Sequence, residues 1–402
     1  MLASVVKGKS KVSVKGTAAA EGNKLAVSVS DDEWKKALDS AKQSGSSLVV
    51  EASSDTKEAQ LTITEEQLAV LKDMPDDSSI VLSWNNASAS LPLSALKQVP
   101  AGSGLLITIK EAADGKSVFT KQHADAALLG TPYVVTVVTV ANGVAKPFAL
   151  SSDQAVQIAF LLNKGVDANS VGVLYTEGDK AYPVPAIFTA TKDGQTVVTV
   201  TRSGFGTYVV AQRDIAFSDI GTSWAKTQIQ LLANKFILNG TTESTFSPKS
   251  NVTRAQFATM LVNALGLSKQ TAGAPFGDVG QSEWFAEDVA TAYAAGLITG
   301  SNGQFRPNDE ISRQELAVML VRALELRKNQ GATDNAAGKQ YGDAEQFGGF
   351  AQASIEAVTE AGLMNGSESN GVFYFRPNDS TTRAEAAKVL LELLASANLI
   401  NK

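Results

Sequence analysis

The sequence predicts a multidomain protein with a β-rich, sandwich-like α+β first half, residues 1–213, and an all-helical second half of three like units. Three observations predict it. Up to about residue 213 the apolar residues alternate in short runs cut by Gly, Asp and Asn, the period of half-buried strands. From Asp214 onward the chain turns rich in Ala and Leu, with apolar residues at helical spacing. That second half also repeats itself with a period of roughly 60 residues. At 402 residues and 44% hydrophobic content, the length alone suits about two to four domains.

In the first half, "KVSVKG", "LAVSVS", "SSLVVEA", "AQLTITEE", "SIVLSWNN", "GLLITIKE", "PYVVTVVTV", "VGVLYTEG", "TVVTVTRSG" and "GTYVVAQ" read as strands with turn punctuation. Two helices stand among them. "DDEWKKALDSAKQSG" opens on acids, aligns Trp34, Ala37, Leu38 and Ala41 on one stripe and closes at Gly45, while "TEEQLAVLKDM" opens as a capping box. The stretch Pro100 to Gly104 is the expected internal seam.

The repeated units span residues 214–272, 273–338 and 339–402. Each begins with an aromatic residue and an aspartate: Phe217 and Asp219, Phe276 and Asp278, Tyr341 and Asp343. Trp224, Trp284 and Phe350 follow, and are expected to head the apolar stripe of a first helix. That stripe continues through Ile229, Leu232 and Ile237, then Val289, Tyr293 and Leu297, then Ile355, Val358 and Leu363. Gly240, Gly300 and Gly366 are expected to end this helix in the left-handed cap conformation. A Phe-x-Pro loop at Phe246, Phe305 and Phe375 leads to a second apolar helix, and three such units set around a common axis would bury every stripe.

The second helix opens as "VTRAQFATML", "ISRQELAVML" and "TTRAEAAKVL". Thr253, Ser312 and Thr382 are N-caps, and Gln256, Glu315 and Glu385 three residues on complete capping boxes. Val252 and Ile311 are placed to staple onto Phe257 and Leu316; Thr381 and Ala386 are not. Arg254, Arg313 and Arg383 then stand in the first turn, where a cation costs roughly 0.3–1 kcal/mol. Two readings account for them. The guanidinium and the free backbone donors of that turn together make an anion site in a groove between units. Alternatively, each arginine pairs with Asp219, Asp278 or Asp343, or with an acid on the neighbouring unit, and holds the units together.

These motifs, taken as a threefold set over about residues 214–402, resemble the S-layer homology (SLH) repeats of bacterial cell-surface proteins. The resemblance implies a pseudo-threefold bundle of three SLH repeats whose grooves bind a secondary cell-wall polysaccharide through a pyruvylated amino sugar, anchoring the protein noncovalently to the wall. It implies that Arg254, Arg313 and Arg383 meet the acidic ketal. Asp219, Asp278, Asp343, Trp224, Trp284, Gly240, Gly300, Gly366, Gln256, Glu315 and Glu385 are then expected to shape the grooves. The chain departs from the pattern in Gln256, in Ser312-Arg313-Gln314-Glu315, and in the third unit, which lacks the tryptophan and carries the longer loop "GSESNGVFYF". The third groove is therefore expected to be the least faithful binder. The first half loosely resembles modules that precede SLH repeats in surface proteins of Bacillales.

Composition narrows the alternatives. With no cysteine and a single histidine, His123, thiolate, His-cluster and H-E-x-x-H metal sites are excluded, and no cofactor is expected. A net charge of −6 argues against nucleic acid as a partner. No apolar run approaches the roughly 20 residues of a membrane helix. The opening "MLASVVKGKS" has no apolar signal core, so the expectation is either that a signal was removed or that this is a piece of a longer chain; the resemblance implies the C-terminal portion of a longer exported protein. A glycosidase needs two carboxylates about 5 to 10 Å apart; Asp31, Asp32, Glu65, Glu66, Asp76 and Asp77 stand instead in capping and turn contexts. The expected function is anchoring at an extracellular cell wall or S-layer of a Gram-positive cell. The alternative is a structural module that makes lattice contacts with other surface-layer subunits.

Overall fold

The computed structural model describes residues 11–44, 47–327 and 340–401, and the chain divides into two compact units, 1–182 with 186–212 and 183–185 with 213–402. The opening "MLASVVKGKS", Gly45 and the expected boundary between the second and third repeats lie outside the described residues.

Two sheets build the β-rich unit. The seven-stranded one runs, in spatial order, Lys11–Val14, Ser47–Ala52, Ser79–Trp84, Ala87–Pro92, Val156–Leu162, Thr196–Arg202 and Ala186–Ala190. Its register places Val14, Val50, Leu82, Ala89, Ile158, Val200 and Ala186 in one row across all seven strands, every one of them buried. Because side chains alternate between faces, this row lies on one face of the sheet, and Ser79–Trp84, buried at all six residues, is covered on the other face as well. The nine-stranded sheet runs Lys180–Val184, Val171–Glu177, Gly206–Gln212, Ala127–Ala141, Gly104–Glu111, Glu58–Ile63, Lys24–Ser28 and Thr17–Glu21, with Val144–Pro147 also on Ala127–Ala141.

Both sheets are mixed, since Lys11–Val14, Ser47–Ala52 and Ser79–Trp84 pair in parallel, as do Lys24–Ser28 and Glu58–Ile63. Helix Asp31–Ser44 buries the expected stripe of Trp34, Ala37, Leu38 and Ala41. Pro100 to Gly104 proves to be a turn inside this unit rather than a seam, because the strand it feeds pairs with Glu58–Ile63 on one side and Ala127–Ala141 on the other.

In the second unit each repeat has a first helix, Lys226–Asn234, Ala286–Ala294 or Gln352–Glu360, and a second, Arg254–Leu265, Arg313–Arg327 or Arg383–Ser396. Their apolar faces share one buried cluster that includes Ile229, Leu232, Phe257, Leu261, Val289, Leu316, Leu320, Ile355, Val358 and Leu390. The half is not wholly helical. In the third repeat Ser367–Ser369 and Val372–Tyr374 form a hairpin around Asn370 and Gly371, both at positive φ, the turn that an Asn-Gly pair favours.

Two further expectations are corrected. Trp224, Trp284 and Phe350 lie two residues ahead of their helices and are 62%, 63% and 65% exposed, so they are outside the core stripe, and Tyr293 also faces outward. The first helices end before the expected glycines, and the left-handed residues that follow them are Phe236, Gly296 and Gly362. Gly240 and Gly300 are not left-handed; only Gly366 is. What these three positions require is space. A Cβ on Gly300 would lie 2.5 Å from the Gln304 carbonyl and the Phe276 ring, one on Gly366 2.5 Å from the Tyr374 carbonyl, and one on Gly240 would strike the Thr242 and Thr245 carbonyls.

Candidate ligand-binding junctions between repeats

Each repeat first folds its loop back onto its own opening aspartate. Asp219 accepts the backbone N–H groups of Phe246 (2.9 Å) and Ser247 (2.7 Å), Asp278 those of Phe305 (2.8 Å) and Arg306 (2.7 Å), and Asp343 those of Phe375 (3.0 Å) and Arg376 (2.7 Å). Ser247, Arg306 and Arg376 adopt positive φ, so the carboxylate holds a strained loop in place. Burial works against the charged form of Asp219 and Asp278. The two backbone donors, with Arg383 and Arg254 respectively, outweigh it and hold both below the usual carboxylate range.

The loop so fixed receives the second helix of another repeat. All three capping boxes form. The remaining first-turn donors are not free: Arg254 and Ala255 donate their backbone N–H groups to the Asp309 and Pro307 carbonyls, Arg313 and Gln314 to Asp379 and Pro377, and Arg383 and Ala384 to Ser250 and Pro248. An anion site made from unpaired helix-start donors is therefore excluded at these positions; the guanidinium groups are what remains.

The guanidinium groups also reach across. Arg254 Nε donates to the Phe305 carbonyl (2.8 Å) and Nη1 to Glu315 Oε1 (2.7 Å); Arg313 Nε donates to the Phe375 carbonyl (2.8 Å) and Nη1 to Glu385 Oε1 (3.4 Å). Arg383 Nε donates to the Phe246 carbonyl (2.7 Å) and Nη2 to the Asn239 carbonyl (2.7 Å). Each arginine lies over the ring of the phenylalanine whose carbonyl it holds, at 4.9, 5.2 and 4.4 Å from the centroid. The acid of the neighbouring repeat, and not Asp219, Asp278 or Asp343, is thus the ion-pair partner at two junctions. The sequence reading missed the phenylalanine carbonyls as acceptors, although the recurrence of Phe-x-Pro in all three repeats was the signal for them.

The backbone of the three repeats closes a ring, with Val252 N–H on the Thr381 carbonyl, Thr381 N–H on Ile311 and Ile311 N–H on Val252. On the outside, in the third repeat, a cavity of about 350 Å³ is lined by Gln346, Ser369, Tyr374, Arg376 and Asn378 among others. No group of His, Cys, Asp and Glu suited to a metal ion occurs among the described residues, and none of their helices is long and apolar enough to cross a membrane.

Helical repeats latched to one another by arginine, each with an exposed aromatic side chain two residues ahead of its first helix, define a module built from three like units. The S-layer homology domain model matches residues 216–258, 275–317 and 340–387, and the chain carries three SLH domains. It is 29% identical over 352 residues to an amylopullulanase of Thermoanaerobacterium thermosulfurigenes, covering 84% of this chain and 18% of that protein. It is 38% identical over 180 residues to an endoglucanase of Bacillus sp. (strain KSM-635), covering 44% and 18%, and 29% identical over 182 residues to the surface-layer 125 kDa protein of Lysinibacillus sphaericus, covering 45% and 15%. The chain thus spans less than a fifth of the length of these relatives. The location these matches indicate is extracellular, at the cell wall or S-layer.

Proposed function

We propose that residues 214–402 anchor the chain by binding an anionic secondary cell-wall polysaccharide, with a pyruvylated amino sugar as the acidic unit, in the junctions of a pseudo-threefold bundle. The observation that carries this reading is the threefold recurrence of an exposed ring, Trp224, Trp284 and Phe350, in a protein whose other large rings are mostly buried. An exposed indole beside polar groups is suited to the apolar face of a sugar, and the arginines supply the matching positive charge. Asp219, Asp278 and Asp343 act on this ligand through the loops they hold, and Gly240, Gly300 and Gly366 by keeping those loops close-packed. The test is sedimentation of the full chain with purified wall sacculi before and after chemical removal of their polysaccharide, for the wild type and a Trp224→Ala/Trp284→Ala variant. Binding that survives either change overturns the reading.

A second reading has its own support. Strand Thr17–Glu21 ends the nine-stranded sheet and is exposed at all five residues, and among the described residues no strand pairs with its outer edge. A lattice module would show concentration-dependent association in analytical ultracentrifugation, abolished by Ala19→Pro; a monomer at all concentrations excludes it. No catalytic role is assigned to the β-rich unit: Asp31, Asp32, Glu65 and Glu66 occupy first helical turns, and Asp76 pairs with Lys97 at 2.5 Å.

A further inference from the structure

The three junctions are built alike but charged differently. At Arg254 the Glu315 carboxylate stands 2.7 Å away, and the same Oε1 also accepts from Arg306 at 2.6 Å. At Arg313 the Glu385 carboxylate stands 3.4 Å away. At Arg383 the corresponding position is Gln256, whose Oε1 accepts the Thr253 N–H at 3.1 Å and which carries no charge. Arg383 is 6% exposed, and among the described residues it makes no ion pair; its bonds go to two neutral carbonyls. Asp219 faces it electrostatically, yet both Asp219 oxygens are engaged by backbone amides. The residue after the loop phenylalanine is here Ser247, where the other repeats have Arg306 and Arg376, and its hydroxyl joins that of Thr241 at 2.8 Å.

An incoming carboxylate at Arg254 or Arg313 must displace, or lie beside, a carboxylate already there, and like charges brought together in a partly buried site repel. At Arg383 it meets a cation that has only the counterpart of Asp278, Asp219, acting on it and no ion-paired acid from the neighbouring repeat, with the Thr241 and Ser247 hydroxyls on the adjoining loop. We propose that the junction of the third repeat with the first, around Arg383, is the one that takes the acidic group of the wall glycan, and that Gln256 is the residue that sets this preference. The inference rests on the reading given under Proposed function. It reverses the ranking expected from motif departures, in which the third repeat is the poorest binder.

The test is calorimetric titration of the full chain with wall polysaccharide, intact and with its ketals hydrolysed, using Gln256→Glu, Glu315→Gln and Glu385→Gln. Gln256→Glu reproduces the capping box that Thr382 and Glu385 already form, so the fold tolerates it. The expected result is a loss of affinity of about tenfold or more for Gln256→Glu with the intact polymer. Glu315→Gln and Glu385→Gln should bind as tightly as wild type or more so. Wild-type affinity in Gln256→Glu, or an equal loss in all three variants, overturns the assignment of the junction. Wild-type binding indifferent to the ketals, or absent, instead fails the anionic-glycan reading itself and this inference with it.

Discussion

The β-rich unit and the repeats each bury an arginine, and they satisfy it in opposite ways. Arg202, fully buried on the seven-stranded sheet, finds its partners within its own unit: Glu177 at 2.7 Å, the Tyr208 hydroxyl at 3.3 Å and the Tyr175 ring 3.6 Å below it, all on strands of the nine-stranded sheet, and the Phe205 carbonyl at 3.2 Å. Burial opposes its charge, but Tyr175, Tyr208 and Glu177 outweigh burial and raise its pKa. Arg254 has its partners on another repeat. There burial prevails over Glu315, and its pKa is lowered. One arginine completes a module; the other completes its neighbour. A single SLH repeat therefore leaves polar groups and an apolar face unsatisfied, and the three must fold as a set.

The comparison breaks most readily at these two residues. Arg202→Ala leaves Glu177 and two tyrosines without their cation and should destabilise the β-rich unit by about 4 kcal/mol, whereas Arg254→Ala should cost the repeats about 3 kcal/mol. Denaturant unfolding followed by the helix signal in circular dichroism distinguishes them: Arg254→Ala should shift the helical transition and Arg202→Ala should not. If both move it equally, the division drawn above is wrong. Gly300→Ala, whose new methyl meets the Gln304 carbonyl and Phe276, should lower the same transition by about 2 kcal/mol.

Acid should separate the units more gently. Asp219 and Asp278 have folded pKa values below the ordinary 3.8, so their contribution is present in full above that value and is lost as pH falls through the lower folded values. The melting temperature of the helical transition should fall on acidification below about pH 4, and Asp278→Asn, destabilised by about 1 kcal/mol at neutral pH, should show a flatter profile. Trp284→Ala should change stability by no more than about 0.5 kcal/mol, because the ring is mostly in solvent.

What could be read from the sequence was what is local. The capping boxes span three residues, and their partners lie within sight of one another in the chain. Strands with alternating Val, Ile and Thr were legible for the same reason. Ala87–Pro92, with sequence ASASLP, and Thr17–Glu21, with sequence TAAAE, were not. Small residues have little strand preference of their own, and only pairing with neighbours makes these segments extended. The arginines were recognised as anomalous, but their partners lie 51 to 144 residues away in sequence, beyond any periodicity. Asn239-Gly240 and its echoes resembled helix caps because the compositional signal of a cap and of a crowded loop is the same glycine. Trp224 joined the stripe only because its spacing to Ile229 imitates a helical one; the helix begins two residues too late to include it.

The backbone ring of Val252, Ile311 and Thr381 has a consequence for how such proteins change over generations. An open stack of repeats grows or shrinks one unit at a time, each end capped by whatever comes last. A closed ring has no end at which to add. A fourth copy would have to open a bond between the first and third, and a lost copy would leave an amide and a carbonyl facing nothing. Genes encoding this module are thus expected to gain or lose it as triplets, and the sequence drift seen within one triplet, such as Gln256 beside Glu315 and Glu385, is the freedom left once the copy number is fixed.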